Sequence, residues 1–115
     1  MYDDNNVFAK ILRGEIPCKK IYEDEYALAF YDINPKAPIH ALVITKGKYT
    51  CYTDFVGKAK VEEINGYNKA ILKTAEQLGL SEDNGFRLIF NNGKASGQEV
   101  PHLHAHILGG KVMAF

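Results

Sequence analysis

His102, His104 and His106 stand at alternate positions in the stretch His102-Leu103-His104-Ala105-His106. In an extended chain, residues two and four apart project to one face, so the three imidazoles line up. At a rise of about 3.3 Å per residue the outer two sit roughly 13 Å apart, with the middle ring flanked on both sides. A helix would turn His104 away from the others. A row of imidazoles on one face suits proton transfer, nucleophilic attack, phosphate binding or metal ligation. The plainer alternative is that they simply face solvent on a half-buried sheet. Strict alternation over three positions argues against it.

An unperturbed imidazole titrates near 6.5, and crowding several together disfavours more than one positive charge. At least one ring is then a free base near neutrality. A neutral imidazole is a competent nucleophile toward phosphorus, and protonated neighbours can hold phosphate oxygens. His104 is the best-placed nucleophile because it has a partner on each side. The preceding loop, Asn91-Asn92-Gly93-Lys94-Ala95-Ser96-Gly97-Gln98, is rich in glycine and amide side chains that can approach and bind an anion. Asp32 follows an apolar strand and precedes a turn. It can accept hydrogen bonds from two ribose hydroxyls or cap an Asx turn with Ile33-Asn34-Pro35, and the residues alone favour the turn. His40 opens another strand; taken alone it is a surface or hydrogen-bonded core histidine.

These residues need a scaffold. Leu103, Ala105 and Ile107 fill the alternate positions of the histidine strand and point into a core. Pro101 is tolerated at its start and Gly109-Gly110 ends it. Residues 7–13 carry apolar side chains at 7, 8, 11 and 12, predicting a short amphipathic helix capped by Asn5 or Asn6 and stopped by Gly14. Strands are predicted near 20–23, over 26–32 and over 40–45, with Asn34-Pro35 as a breaker. Residues 58–78 carry one apolar stripe and predict the long helix, stopped by Gly79, with Gly66 a site of local irregularity. Residues 85–91 predict another strand. Strands segregated from helices favour an α+β fold with an antiparallel sheet. One long and one short helix are expected on one face, leaving the histidines on an open face or in a groove at its edge.

The chain has 115 residues, 46% of them hydrophobic and 24% charged, which predicts one soluble globular domain over residues 1–115. A formal net charge of zero argues against a nucleic-acid surface built on bulk charge. No apolar run approaches membrane-spanning length. The polar, acidic start Met1-Tyr2-Asp3-Asp4-Asn5-Asn6 does not resemble a signal peptide, so a cytoplasmic location is expected. Cys18 and Cys51 form no CxxC pair and are expected as free thiols.

His102-Leu103-His104-Ala105-His106-Ile107-Leu108 resembles the histidine-triad motif of the HIT superfamily. Further segments follow in the family's order: Phe8-Ala9-Lys10-Ile11, Gly14-Glu15-Ile16-Pro17, Tyr22-Glu23-Asp24, Ala29-Phe30-Tyr31-Asp32-Ile33-Asn34-Pro35, Ala37-Pro38-Ile39-His40 and Leu108-Gly109-Gly110. The last is similar to the Hint branch, the purine nucleoside phosphoramidases. The resemblance implies a HIT-like fold whose five-stranded antiparallel sheet extends across a homodimer into ten strands. It implies hydrolysis of the P–N bond in purine nucleoside phosphoramidates of the AMP-lysine or AMP-amine type, with AMP or GMP as bound nucleotide and no cofactor. His104 matches the nucleophile that forms a nucleotidyl-histidine, His102 and His106 its triad partners, and His40 the additional histidine. Asp32 matches the ribose-binding carboxylate, which reverses the preference for a turn. Phe8, Ile11, Ile16 and Ile33 match the base pocket. Asn91, Gly97, Gln98 and Val100 match the phosphate-side loop.

Three departures stand out. Glu99 replaces a serine thought to assist the leaving group. Asn6, Ala9 and Lys48 occupy positions where some bacterial relatives hold zinc, so that zinc site is expected to be missing. The sequence stops at Phe115, short of the aromatic tail some Hint proteins use to shape substrate preference. Other readings of the same residues are a metal-binding protein using the histidine row, a nucleotide-binding protein without catalysis, and a HIT hydrolase of dinucleoside polyphosphates.

Overall fold

The computed structural model describes residues 1–114. The elements run α1 (Val7–Leu12), β1 (Lys20–Glu23), β2 (Ala27–Tyr31), β3 (Ile39–Thr45), α2 (Tyr52–Lys58), α3 (Val61–Gln77), β4 (Phe86–Ile89) and β5 (His104–Gly109). The five strands form one sheet in the order β1-β2-β3-β5-β4, and every neighbouring pair is antiparallel. This is the α+β architecture expected from segregated strands and helices.

Alternation along each strand sorts the side chains between two cores. Ala27, Ala29, Ala41, Val43, Ala105 and Ile107 face α3 and pack against Tyr67, Ala70, Ile71 and Ala75. Small alanines on the strands let the helix lie close. The opposite face carries Leu28, Phe30, Leu42 and Ile44, which pack against Phe8 of α1. The two helices therefore cover opposite faces of the sheet, not one face as expected. The histidine face is not open: α1 roofs it and creates a groove. The amphipathic stripe of α1 is short; Phe8 anchors it, standing edge-on to Phe30 at 5.8 Å, and Ile11 and Leu12 pack against the same core.

The segment before the long helix differs from expectation. The chain forms α2 over Tyr52–Lys58, extends through Ala59 and Lys60, and only then starts α3. Buried Phe55 explains the extra helix, because its ring wedges between Tyr49 and Tyr67 at 5.0 and 5.3 Å. Asp54 helps at the start by accepting from the Thr50 backbone N–H at 2.9 Å. Gly66 causes no irregularity within α3. A Cβ there would come within 2.3 Å of the Tyr26 ring, so the glycine allows the β1–β2 turn to approach the helix. Asn6 is the cap of α1, its Oδ1 accepting from the Ala9 N–H at 2.9 Å. Cys18 and Cys51 are free thiols. Among the described residues no helix is long and apolar enough to cross a membrane.

Candidate active site

Pairing of β3 with β5 sets His104 opposite Ile44, His106 opposite Leu42 and His40 opposite Leu108. Partners directly opposite share a face, so His40, His104 and His106 join the α1 side of the sheet. His102 departs from the expected strand. β5 begins at His104, and His102 lies in a turn with its N–H donating to the Val100 carbonyl at 2.9 Å. The cause is that β3 ends at Thr45: Leu103 donates instead to the Tyr49 carbonyl at 2.8 Å, drawing the chain off the sheet. The His102 ring still meets the same cluster, edge-on to Phe8 at 6.2 Å. His104 is 8% exposed and His102 is fully buried.

The hydrogen-bond partners assign the proton on each ring. The Lys36 backbone N–H donates to His40 Nδ1 at 3.0 Å. That nitrogen must be bare, so the neutral ring carries its proton on Nε2. His40 Nε2–H then donates to His106 Nδ1 at 2.9 Å, which leaves the His106 proton on Nε2. His104 Nδ1 faces the His102 carbonyl at 2.7 Å and must donate to it. The lone pair of His104 is therefore on Nε2, with the opposite nitrogen anchored. His102 Nε2 faces the Thr45 carbonyl at 2.7 Å and donates, so its Nδ1 accepts from the Tyr2 hydroxyl.

Burial explains why these rings are neutral. It pushes His102 and His106 down to about 4, and neighbouring His104 adds to the effect in both. His104 and His40 are also lowered by burial, opposed for each by the Asp32 carboxylate. The expectation of charged flanking histidines does not hold for the free protein. Neutral rings can still serve the site, because an imidazole with Nε2–H donates to a phosphate oxygen. The Asp32–His40 contact of 3.5 Å is correspondingly a carboxylate beside a neutral ring.

Asp32 forms the turn and directs its second oxygen away from it. Its Oδ1 accepts from the Asn34 N–H at 2.7 Å, which is the Asx turn, while Oδ2 points toward His40. It also lines a cleft of about 610 Å³ between α1 and the sheet. Phe8, Ile11, Ile16, Ile33, Glu99 and Val100 line this cleft as well. Ile33 stands at its mouth, 92% exposed. Leu42 and Phe8 join the cleft to the histidines, since Leu42 is opposite His106 and the Phe8 ring stands edge-on to His104 at 4.9 Å.

The loop residues divide. Asn91, Gly97 and Gln98 are not part of the cleft lining, whereas Glu99 and Val100 are. Gln98 braces the loop, donating to the Thr50 and Val100 carbonyls at 2.7 and 3.0 Å and accepting from the Gly93 N–H at 2.8 Å. Sequence reasoning misses Tyr2, Thr45, Cys18, Lys19, Phe30 and Leu42. Phe30 and Leu42 are recoverable from strand alternation once the register is known. Nothing local in the sequence ties Tyr2 to His102, one hundred residues away.

Asp32, His40 and His106 bring one ligand-type atom each within 4.8 Å of one another. Their protonation does not suit a metal. A metal needs a bare nitrogen, and the Lys36 N–H reserves the lone pair of His40 Nδ1, leaving Nε2 protonated.

The model of the HIT domain family matches residues 13–113, and the chain belongs to that family. It is 54% identical over 110 residues to an uncharacterized 13.2 kDa HIT-like protein of Azospirillum brasilense, covering 96% of this chain and 89% of that one. It is 44% identical over 116 residues to a 14 kDa zinc-binding protein of Zea mays, covering 96% and 86%. Among solved structures, a HIT family hydrolase from Legionella pneumophila superposes with a TM-score of 0.87 at 42% identity, covering 96% of this chain and 97% of that one. A histidine triad nucleotide-binding protein from Candida albicans gives 0.79 at 28% identity, covering 96% and 85%.

Proposed function

We propose that the protein is a nucleotide hydrolase that cleaves the P–N bond of purine nucleoside 5'-phosphoramidates through His104. The observation that carries this reading is the bare Nε2 of a buried histidine whose Nδ1–H is anchored on a backbone carbonyl. The hydrolase and nucleotide-binding descriptions of the similar Legionella and Candida proteins support it. In this reading the base occupies the apolar cleft of Phe8, Ile11 and Ile16, and Asp32 accepts from the ribose hydroxyls. Asn91, Gly97, Gln98 and Val100 act on the phosphate side, with Gln98 holding the loop in shape.

The steps follow from the tautomers. His104 Nε2 bonds to phosphorus and the P–N bond breaks. The departing nitrogen takes a proton from solvent and leaves as the amine, while the neutral His106 keeps its Nε2–H and donates it to a phosphate oxygen. Positive charge on the His104 ring is eased by its Nδ1–H bond to the His102 carbonyl. Water then breaks the nucleotidyl-histidine bond, returning AMP or GMP and the free ring, with His106 Nδ1 and His40 Nε2 in one hydrogen-bonded pair beside it. Glu99, an exposed carboxylate at the cleft, faces the leaving group in place of a hydroxyl. The test is turnover of adenosine phosphoramidate, a dinucleoside polyphosphate and a nucleotide sugar side by side. The phosphoramidate should be the best substrate by kcat/KM. A preference for the dinucleoside polyphosphate would favour the other hydrolase reading.

A homodimer belongs to the same proposal. β4 is an edge strand, with Phe86 and Leu88 exposed on it, and pairing with a second copy would cover both. A cytoplasmic setting fits the two free thiols.

The zinc-binding description of the Zea mays relative raises a different reading for Asp32, His40 and His106. The proton on His40 Nε2 argues against it, as do Asn6, Ala9 and Lys48 at positions that would otherwise supply ligands. Protein dialysed against a chelator should therefore keep its full turnover and hold far less than one zinc per chain. Elemental analysis that finds about one zinc per chain after dialysis would refute this.

A further inference from the structure

We propose that Tyr2 is a positioning residue for His104, acting through His102; the consequence for turnover rests on the reaction proposed above. The residues before α1 form a strap across the end of the histidine row. Asn6 holds it by donating from Nδ2 to the Asp3 carbonyl at 2.8 Å. Arg13 Nη1 donates to the Asp4 carbonyl at 2.8 Å, and Asp4 pairs with Lys48 at 2.9 Å. The strap delivers the Tyr2 hydroxyl to His102 Nδ1, with the two rings edge-on at 5.5 Å.

His102 has no exposed surface, and the Tyr2 hydroxyl is the partner that meets its Nδ1. Its two nitrogens are fixed by opposite kinds of partner. The Thr45 carbonyl can only accept, and Tyr2 must then donate. This clamps the ring between the strap and the end of β3. The clamped residue is the one whose backbone carbonyl holds His104 Nδ1–H. Tyr2 thus supports, at two removes, the tautomer that leaves His104 Nε2 bare. It touches neither substrate nor reacting atoms.

The groups that face this ring are Tyr2 from the strap, Phe8 from α1, Thr45 from β3 and His104 from β5. Without the Tyr2 hydroxyl the ring loses its hold on the strap side, and the carbonyl that keeps His104 Nδ1–H in place should be less firmly fixed.

The variant Tyr2→Phe keeps the ring packing and deletes the donor. Imidazole nitrogen NMR on the wild-type protein, without substrate, should show His102 protonated on Nε2 and bare on Nδ1. In Tyr2→Phe the His102 Nδ1 resonance should lose its hydrogen-bonded shift, and part of the His104 population should move its proton from Nδ1 to Nε2. kcat should then fall about ten-fold with KM unchanged. A purely structural role for the strap would lower thermal stability and leave the His104 tautomer as in wild type. Wild-type His102 protonated on Nδ1, or a Tyr2→Phe protein with unaltered His104 tautomer and kcat, would overturn the proposal. A wild type inactive on phosphoramidates would instead sink the proposed reaction, and the NMR would still decide what Tyr2 does to His102.

Discussion

Replacing His104 with alanine should lower turnover of an adenosine phosphoramidate by at least about three orders of magnitude, since removing a covalent nucleophile eliminates the step itself. The expectation follows from one nitrogen. His104 Nδ1 is committed to the His102 carbonyl, and Nε2 is the end of the ring left to attack. Its burial keeps the ring uncharged near neutrality, so the lone pair is available without deprotonation. The neighbouring histidines act differently and should lose less. His106→Ala removes a donor and the partner of His40, but the nucleophile stays. Steady-state kinetics on folded variants will separate them. A His104→Ala rate within a few-fold of wild type would remove the assignment.

The second large effect is expected at Asp32. One oxygen of its carboxylate accepts from the Asn34 N–H and the other points at His40 on the wall of the cleft. Asparagine can keep the first bond through its single oxygen, so the turn and the fold persist. Its amide then replaces the second acceptor with a donor. A charged hydrogen bond lost this way is worth about 1.5–3 kcal/mol, roughly ten- to two-hundred-fold in binding. Asp32→Asn should weaken AMP binding within that range. Wild type should also discriminate against a 2′,3′-dideoxyribose analogue, and the variant should largely lose that discrimination. Equal discrimination in both proteins, measured by calorimetry, would confine Asp32 to its turn.

What is legible in the sequence is periodic or local. The alternation of Leu103, Ala105 and Ile107 with the histidines assigns the core face of β5 from residue order alone, and those three side chains do pack in the α3 core. Asn6 as the cap of α1 is also a local signal, read from residue type and position. What is not legible depends on partners far along the chain. Which face α1 covers is decided by Phe8 meeting Phe30 and Leu42, and nothing within residues 7–13 states it. α2 escapes a reading of periodicity because its stability comes from one buried ring, Phe55, and not from a stripe. The place where β5 starts is set by the end of β3 and by Tyr49, so His102 falls outside a strand that its spacing suggests. The charge on the flanking histidines is hidden for a related reason. Burial is a tertiary property, and it outweighs the nearby carboxylate.

At the site, residue types mark the histidines and Asp32, but the tautomers cannot be read from them. They depend on three backbone groups, the Lys36 N–H and the Thr45 and His102 carbonyls, that nearly any residue would supply. These groups give four imidazoles of similar chemistry different bare nitrogens, Nε2 on His104 and Nδ1 on the other three.

The most direct test of covalent catalysis by His104 is to locate the nucleotidyl group during turnover. Enzyme and excess adenosine phosphoramidate are mixed, quenched in alkaline denaturant within the first turnover, digested and analysed by peptide mass spectrometry. Attack by His104 Nε2 predicts release of amine ahead of AMP, with one adenylyl group carried on the peptide containing His104 and fragment ions placing it on that ring. An adenylyl group on any other side chain, or amine and AMP released together with no adduct above background, would contradict it.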